Sequence, residues 1–441
     1  MLRNSRRLVF KSKFSPVFIQ KKNFLTNDYK CNNAWNNMNS TPIISKVNIQ
    51  DFYYAVDQNH SSKGVISALD VDIFANAIKD SSHLEELKDL LHKLRLSAET
   101  GNMLESTRHA TVRNYLEFGE IEELVGILRD PLNFGVFLDD YSANILLDKL
   151  ITSSKYDLAA RVASFVMLQE EYTNDITCTL CQYACYKYIL GYTPPEPSPP
   201  EEKGKKKPKV EEIKIRVKFL RNPYFDDHFD INDVITLSGK TLAWMSERAS
   251  NNLNNNLQII GWLYYKKYDK LQSLCEKLIQ TETFKVSKEV TELLQKEITN
   301  VEDDSKPMLE KCVSILSKVA PNGVSLEESI INAIEDSINK SQPKDIADQQ
   351  ELFQSWAKLR EEKMEIQTKR LDRACRIQLI EQKQKEMTEQ EQKLWFFENE
   401  EKIDLQIEEK EALVDKTVIK KKSTVIEDEN YIPPEILPKR K

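Results

Sequence analysis

The feature that most constrains this fold is a repeat of paired amphipathic segments. His109 and Asn144 lie in equivalent first segments, 35 residues apart, and Leu124 and Ala159 hold the same place in the second segments, again 35 apart. Another 35 residues leads from Asn144 to Thr179, inside a further amphipathic segment. One such pair cannot bury its apolar face alone, so successive pairs must stack. The period predicts a helical-hairpin solenoid.

The composition also favours helices. The chain has 10 glycines in 441 residues, roughly a third of ordinary usage. Folds that hold a cofactor in glycine-rich turns between strands and helices need more glycine than this. We therefore predict an all-α helical-hairpin solenoid that ends in a long charged helical segment, and we predict no cofactor.

Shifts in composition divide the chain into seven segments. They are a presequence (1–25), an N-terminal extension (26–64), a helical array (65–192), a Pro- and Lys-rich loop (193–213), a second helical array (214–345), a long charged helix or helical hairpin (346–415) and an extended tail (416–441). The loop is too rich in proline and lysine to form a packed core, so we predict a mobile surface connection there.

The charged segment 346–415 has no glycine or proline and is dominated by good helix formers. Leu352, Trp356 and Leu359 share one helical face, but the apolar stripe is narrow and broken. We therefore expect a mostly solvated helix. Trp395–Phe397 are its candidate docking residues.

The first 25 residues have the composition of a mitochondrial import signal. They contain seven basic residues and no acidic one, with apolar and hydroxyl-bearing residues between them. A basic arm kept for binding RNA is the alternative. Without those seven charges the formal net charge moves from −7 to −14, and an acidic body argues against general coating of nucleic acid. We predict location in the mitochondrial matrix, with RNA contacts confined to local sites.

The seven cysteines are an odd number scattered along the chain, which indicates reduced thiols. Cys178, Cys181 and Cys185 have the spacing i, i+3, i+7, which places their sulfurs on one helical face. Zinc sites usually combine two Cys-x-x-Cys pairs or add histidines, and none lies nearby. We predict core packing for the three, with a metal or cluster site as the alternative.

No apolar run approaches the roughly 20 residues that span a bilayer.

Residues 221–244 most resemble an active site. Asp226, Asp227, His228 and Asp230 offer metal-ligand atoms, but adjacent positions rarely converge on one ion and no calcium-loop spacing is present. We predict instead an extended segment that inserts the rings of Tyr224, Phe225 and Phe229, while its carboxylates cap a helix or pair with basic residues.

The triplet Gly239–Thr241 resembles the end of a phosphate-binding loop. Such a loop needs a glycine five positions before Gly239, where this chain has Val234. Ser238 and Gly239 are therefore predicted to start a helix. The five histidines form no recognisable catalytic spacing. We predict neither enzymatic activity nor a small-molecule substrate.

The hairpin around residues 139–168 resembles a pentatricopeptide repeat. The matching residues are Asn144, Leu146, Leu147 and Asp148 in the first helix and Ala159 in the second. The preceding unit matches through Gly119, Glu122 and Glu123. With FLRNPYFDDHFD, LSGKTL and DPLNFGVFLDDYSANILLDKLI, the chain resembles the pentatricopeptide-type protein family of the mitochondrial small ribosomal subunit. The resemblance implies a non-enzymatic component that binds small-subunit ribosomal RNA and neighbouring ribosomal proteins.

The resemblance also implies base-reading positions, because pentatricopeptide arrays read one base per repeat with two or three side chains. The pairs would be Asn144 with Asn174, which suits a pyrimidine, and His109 with Asp139, which is off the usual pattern. Shape and backbone contacts are the other mode expected here. The lysines of residues 203–209 are candidates for phosphate contacts or a merely solvated run.

Two alternatives stay open beside the ribosomal hypothesis. One is a free organellar factor that binds messenger or transfer RNA through the same repeats. The other is a peptide-binding scaffold of the tetratricopeptide kind, whose array would ignore RNA. The identity of the RNAs crosslinked in mitochondria would separate the ribosomal hypothesis from the free organellar factor. A filter-binding assay that detects no RNA binding would identify the peptide-binding scaffold.

Overall fold

A computed structural model describes residues 23–193, 225–281, 284–300 and 306–422, with side chains of the last helix through residue 416. Helices dominate these residues, which contain no strand and a single isolated β-bridge between Val286 and Pro321. The predicted all-α class is confirmed. Residues 1–22 of the predicted presequence, nearly all of the predicted loop 193–213 and most of the predicted tail lie outside the described ranges.

The described part of the chain begins with a 3₁₀ helix and three α-helices and continues as six hairpins. The first elements are a 3₁₀ helix (Asn27–Lys30), α1 (Asn32–Asn39), α2 (Pro42–Ser45) and α3 (Ile49–Lys63). The hairpins are α4 (Ala68–Ala77) with α5 (Leu84–Leu96), α6 (Glu105–Phe118) with α7 (Ile121–Arg129), α9 (Asp140–Thr152) with α10 (Tyr156–Leu168), α11 (Asp175–Gly191) with α12 (Val234–Glu247), α13 (Asn252–Tyr264) with α14 (Tyr268–Leu278), and α15 (Lys288–Asn300) with α16 (Lys306–Leu316). The remaining elements are α8 (Pro131–Phe134), α17 (Leu326–Lys422) and two 3₁₀ helices (Ser81–His83 and Ala98–Asn102).

Successive hairpins stack on one another. The first helices α4, α6, α9 and α11 pack in order, and so do the second helices α7, α10 and α12. Leu124 and Ala159, two of the positions that the sequence period indicates, are fully buried in one continuous core. Each hairpin thus buries its apolar face against its neighbours, which is the physical requirement of a solenoid.

The predicted loop interrupts a hairpin rather than separating two arrays. It falls between α11 and α12, and these two helices pack directly against each other. A long connection is compatible with such packing because the entropy cost of closing a loop rises only slowly with its length. The hairpins therefore form one array within the compact unit that ends at Glu361.

Two glycines allow α12 and α13 to approach closely. A Cβ on Gly261 would lie 2.3 Å from the backbone nitrogen of Ala243, and one on Gly239 would lie 2.5 Å from that of Tyr265. The prediction that Ser238 and Gly239 start a helix is wrong, because α12 begins at Val234. Ser238 instead donates a hydrogen bond to the Val234 carbonyl, 2.7 Å away. Gly239 serves helix packing, in the middle of α12.

The second compact unit begins at Glu362 and, where described, is the remainder of α17. The prediction of a long charged helix or hairpin corresponds to one helix, which starts at Leu326 and passes through Pro343. Every residue from 371 to 398 is exposed. The second unit thus has no core of its own among its described residues.

Candidate RNA interface

The two predicted base-reading asparagines belong to one hydrogen-bonded network. Asn144, on α9, donates from its side-chain amide to the Tyr29 hydroxyl, 2.9 Å away. Tyr29 donates to an oxygen of Asp345 at 3.1 Å, and the Asn174 side-chain amide donates to the same oxygen at 3.0 Å. Burial raises the pKa of Tyr29, so its hydroxyl keeps its proton. Tyr29 and Asp345 thus accept the amide hydrogen bonds that a base would otherwise accept.

Asn174 has a second task in the fold. As the N-cap of α11, its side-chain oxygen accepts hydrogen bonds from the backbone nitrogens of Ile176 at 2.9 Å and Thr177 at 3.2 Å. These bonds satisfy N–H groups that a helix start leaves without intrahelical partners. The oxygen of Asn174 is therefore committed to α11 and its amide to Asp345.

His109, on α6, is enclosed by aromatic rings. Its ring centroid lies 5.2 Å from that of Trp35, 5.3 Å from Phe353 and 5.4 Å from Trp356. Nδ1 lies 3.1 Å from the Ser142 hydroxyl. Burial lowers the pKa of His109 to about 4, so the ring is neutral at physiological pH.

Asp139, the fourth predicted reading residue, lies at the start of α9 and is exposed. It makes no side-chain cap bond there. The negative charge of Asp139 raises the pKa of His109 and so opposes the effect of burial, which lowers it. The same charge raises the pKa of Tyr29 and so adds to the effect of burial there. The structure therefore brings all four predicted residues into one region, with Asp139 at its exposed edge.

This region is covered by side chains of the N-terminal extension and of α17: Tyr29, Trp35, Asp345, Phe353 and Trp356. A buried ion pair holds this part of α17 in place. Arg360 of α17 donates from Nε to Asp72 of α4 at 2.7 Å, and both side chains are almost completely buried. Asp72 also accepts hydrogen bonds from Ser106 and from Thr107, the latter at 2.9 Å. Breaking one side of such a pair leaves an uncompensated buried charge. The pair thus fixes α17 on the first helices of the array.

The covering residues are not predicted by the sequence pattern. Tyr29 and Trp35 lie in the N-terminal extension, which has no clear periodicity, and Asp345 precedes the predicted charged helix. Of the face assigned to that helix, Trp356 is buried, whereas Leu352 and Leu359 are exposed. The buried face contains Phe353, Trp356 and Arg360, whose spacing i, i+3, i+7 was the available signal.

A cavity of about 290 Å³ lies beside the covered face. Its lining includes Lys30, Arg113 and Lys149 together with Glu117 and Asp148. Lys149 donates to the Leu116 carbonyl, and burial lowers the pKa of its ammonium group. Arg113 donates to the Lys30 carbonyl at 2.9 Å and lies over the Trp35 ring. Lys149 and Arg113 therefore already donate hydrogen bonds to carbonyl groups of the chain.

The segment that most resembles an active site, residues 221–244, makes structural contacts within the chain where it is described. Lys240 donates to the Asp227 carbonyl at 2.7 Å and lies 4.3 Å from the centroid of the Trp244 ring. His228 stacks on Trp244, with Nε2 3.1 Å from the carbonyl of Leu168 on α10. Burial lowers the pKa of Lys240. The lysine of the apparent phosphate loop is thus almost fully buried, in contacts within the chain.

The carboxylates of this segment behave as predicted, but the rings do not. Asp227 forms an ion pair with Lys267 at 2.6 Å, and Asp226 accepts a hydrogen bond from the His228 backbone at 2.8 Å. The predicted insertion of Phe225 and Phe229 is wrong, since both rings are exposed; Tyr224 lies outside the described residues. The segment is a turn, and its His228 ring is half-buried.

Cys178, Cys181 and Cys185 pack in the core of the array, as predicted. Burial raises the pKa of Cys178 and of Cys185 to about 12, so both remain thiols. Across the described ranges, no group of three or more His, Cys, Asp or Glu side chains could hold a metal ion. In those same ranges no helix has the length and apolar character to cross a membrane.

Comparison with known protein families gives a match over most of the chain. The family model described as mitochondrial 28S ribosomal protein S27 matches residues 1–389. The match includes every hairpin of the array and the covering residues from Tyr29 to Arg360. Because it extends over most of the 441 residues, the chain belongs to the mitochondrial 28S ribosomal protein S27 family.

Proposed function

We propose that this protein is a non-enzymatic structural component of the mitochondrial small ribosomal subunit. In this role it binds small-subunit ribosomal RNA and neighbouring ribosomal proteins and so supports mitochondrial translation. The observation that carries the proposal is the network of Asn144, Tyr29, Asp345 and Asn174. An array whose Asn144 and Asn174 side-chain amides donate to residues of the same chain suits a rigid body held by other surfaces.

The surface that best suits an RNA backbone is a basic stretch of α17. Residues 363–385, the basic segment, contain seven basic and three acidic side chains. Lys369, Arg373, Arg376 and Lys383 follow the spacing i, i+4, i+7, i+14, which places them on one helical face. All four are exposed. Such a row offers phosphate contacts that do not depend on base identity.

The first test is sedimentation of mitochondrial lysate. We expect the protein in the small-subunit peak, and its persistent absence from that peak would contradict the proposal. In ultraviolet crosslinking, small-subunit ribosomal RNA is expected as the main RNA partner. Crosslinks dominated by messenger or transfer RNA would favour the free organellar factor instead.

The second test addresses the basic face. Replacing Lys369, Arg373, Arg376 and Lys383 with Gln should weaken filter binding of a small-subunit ribosomal RNA transcript. Four lost phosphate contacts should also reduce the slope of log K against log salt by about three. The matched control replaces four scattered, exposed lysines with Gln: Lys63, Lys79, Lys311 and Lys318. Equal losses in both variants would show a general charge effect.

Base reading by Asn144, Asn174, His109 and Asp139 remains the alternative mode. It requires Tyr29, Asp345 and the rings around His109 to leave their present contacts. If it operates, exchanging Asn144 for Asp should change which base is preferred. If the network is structural, the same exchange should lower stability and leave base preference unchanged.

A further inference from the structure

The second unit of α17 divides sharply by charge. The basic segment is followed by residues 386–415, the acidic segment, which contain eleven acidic and three basic side chains. The net formal charge therefore changes from +4 to −8 between two consecutive parts of one helix. A surface with this excess of carboxylates repels phosphate and attracts cationic groups.

The acidic segment also exposes four consecutive apolar residues, Leu394–Phe397, here termed the LWFF cluster. Leu394 is 67% exposed, Trp395 61% and Phe397 69%. Among the described residues, their one aromatic contact is between the rings of Phe396 and Phe397, with centroids 6.0 Å apart. Contiguous apolar surface within a polar rim is typical of an interaction site, and aromatic residues are enriched at the centres of protein interfaces.

The geometry of the helix restricts what can cover this cluster. Consecutive residues of an α-helix are turned by about 100°. Trp395 and Phe397 are therefore about 200° apart and point to nearly opposite sides. A flat surface, or one helix laid alongside, reaches one of these sides and leaves the other in water. An occupant that covers both rings must enclose the helix.

We infer that residues 386–415 form a docking site for a basic protein of the small subunit, which encloses the helix at the LWFF cluster. The inference rests on the proposed function, since it names the chemistry of one neighbour. The family match ends at residue 389, before the cluster, so the site does not follow from family membership.

A second copy of this chain is the closest competitor. Two antiparallel copies could set the basic segment of one helix against the acidic segment of the other. This arrangement satisfies the charges but places a single helix beside the cluster, so either Trp395 or Phe397 stays exposed. The two-sided exposure of the rings therefore favours a different protein with a basic cleft.

A photo-crosslinking experiment tests the occupant directly. The photoreactive residue p-benzoylphenylalanine is placed at position 395 or 397 of the full chain, in small subunits purified from mitochondria. We expect both positions to form adducts with the same protein, and we expect that protein to be basic. Adducts with RNA, adducts with a second copy of this chain, or reaction at one position alone would overturn the inference.

Substitutions test how much the two rings contribute to binding. Trp395→Ala with Phe397→Ala should increase the rate of dissociation from small subunits about tenfold or more, because central aromatic residues dominate most interfaces. The control is Leu371→Ala with Leu379→Ala, two exposed residues of the basic segment, which should leave the rate nearly unchanged. Equal effects of both pairs would contradict a specific site.

These results separate the two proposals. If the unaltered chain is absent from small subunits, the proposed function fails. If it is present but positions 395 and 397 crosslink to RNA, the proposed function stands and the docking site fails.

Discussion

Residues 345–360 and 386–398 lie on the same helix but differ in how far their aromatic side chains are buried. In the first stretch, Phe353 is 1% exposed and packs against Trp35 and His109. In the second, Phe397 is 69% exposed. The first stretch completes the array's own core, whereas the second presents its rings to solvent. Identical side chains on one helix are therefore buried in one place and exposed in another.

Family membership gives this difference a context. The protein is a small-subunit ribosomal protein of the mitochondrial ribosome in the matrix. A ribosomal protein needs a stable body and surfaces that become buried upon assembly. The covered face of the array meets the first need, and the exposed part of α17 suits the second.

The largest expected effect compares the two phenylalanines. Phe353→Ala removes a buried ring and should lower the free energy of unfolding by about 3–5 kcal/mol. Phe397→Ala should change it by less than about 0.5 kcal/mol, as for most surface substitutions. Urea unfolding followed by tryptophan fluorescence measures both. Similar losses would mean that the two stretches of α17 are not distinct in the isolated protein.

A pH effect of on the order of 3 kcal/mol should come from His109. Because burial lowers its pKa to about 4, the native state binds the proton more weakly than the unfolded chain, whose value is about 6.5. The stabilisation is complete above pH 6.5 and is lost as the pH falls towards 4. Unfolding free energies of the unaltered chain and of His109→Gln, measured across this range, isolate the effect.

The comparison with His109→Gln is necessary because buried acids oppose the trend. Burial raises the pKa of Asp140 and of Asp148, so these groups favour the native state on protonation. They are present in both proteins, and their contribution cancels in the difference. A difference that does not vary with pH would show that His109 is accessible to protons in the folded state.

A smaller loss is expected for Tyr29→Phe. The change removes the hydroxyl that accepts from Asn144 and donates to Asp345, and leaves the buried amide of Asn144 unsatisfied. We expect a cost of about 1–3 kcal/mol. Tyr54→Phe, at an exposed tyrosine, is the control and should be neutral. No loss for Tyr29→Phe would indicate that the network does not hold the cover in place.

Thiol reactivity gives the least perturbing test. All seven cysteines lie among the described residues, and Cys375 is the one that is exposed. A maleimide should modify one thiol rapidly in the native protein and seven after denaturation. Buried thiols such as Cys178 and Cys185, whose pKa values burial raises to about 12, supply few thiolates. A second fast-reacting thiol would show that the array opens.

Several features of the fold could be predicted because they depend on local pattern. The 35-residue period, the burial of Leu124 and Ala159 and the core position of the cysteine trio all follow from apolar spacing on helices. The apparent phosphate loop could be rejected because one glycine was missing. Each of these inferences needs only the helical repeat and the requirement to bury apolar surface.

The covering of the reading face could not be predicted in this way. Tyr29 meets Asp345 across 316 residues, and Asp72 meets Arg360 across 288. No periodicity within a helix contains information about partners so distant in the chain. Pro343, which lacks a backbone N–H and tends to break helices, lies inside α17. The helix continues beyond this proline. In the continued part, Asp345, Phe353 and Arg360 contact residues far away in the chain.

By itself, the sequence determined the helices, their pairing into hairpins and the stacking of those hairpins, because each step follows from burying a local apolar face. It also determined the basic and acidic segments of α17, since charge is a property of composition. Only the tertiary structure decided that Asn144, Asn174 and His109 face the chain's own residues. That outcome depends on contacts between residues far apart in sequence, which form only when the whole array provides a surface on which α17 can dock.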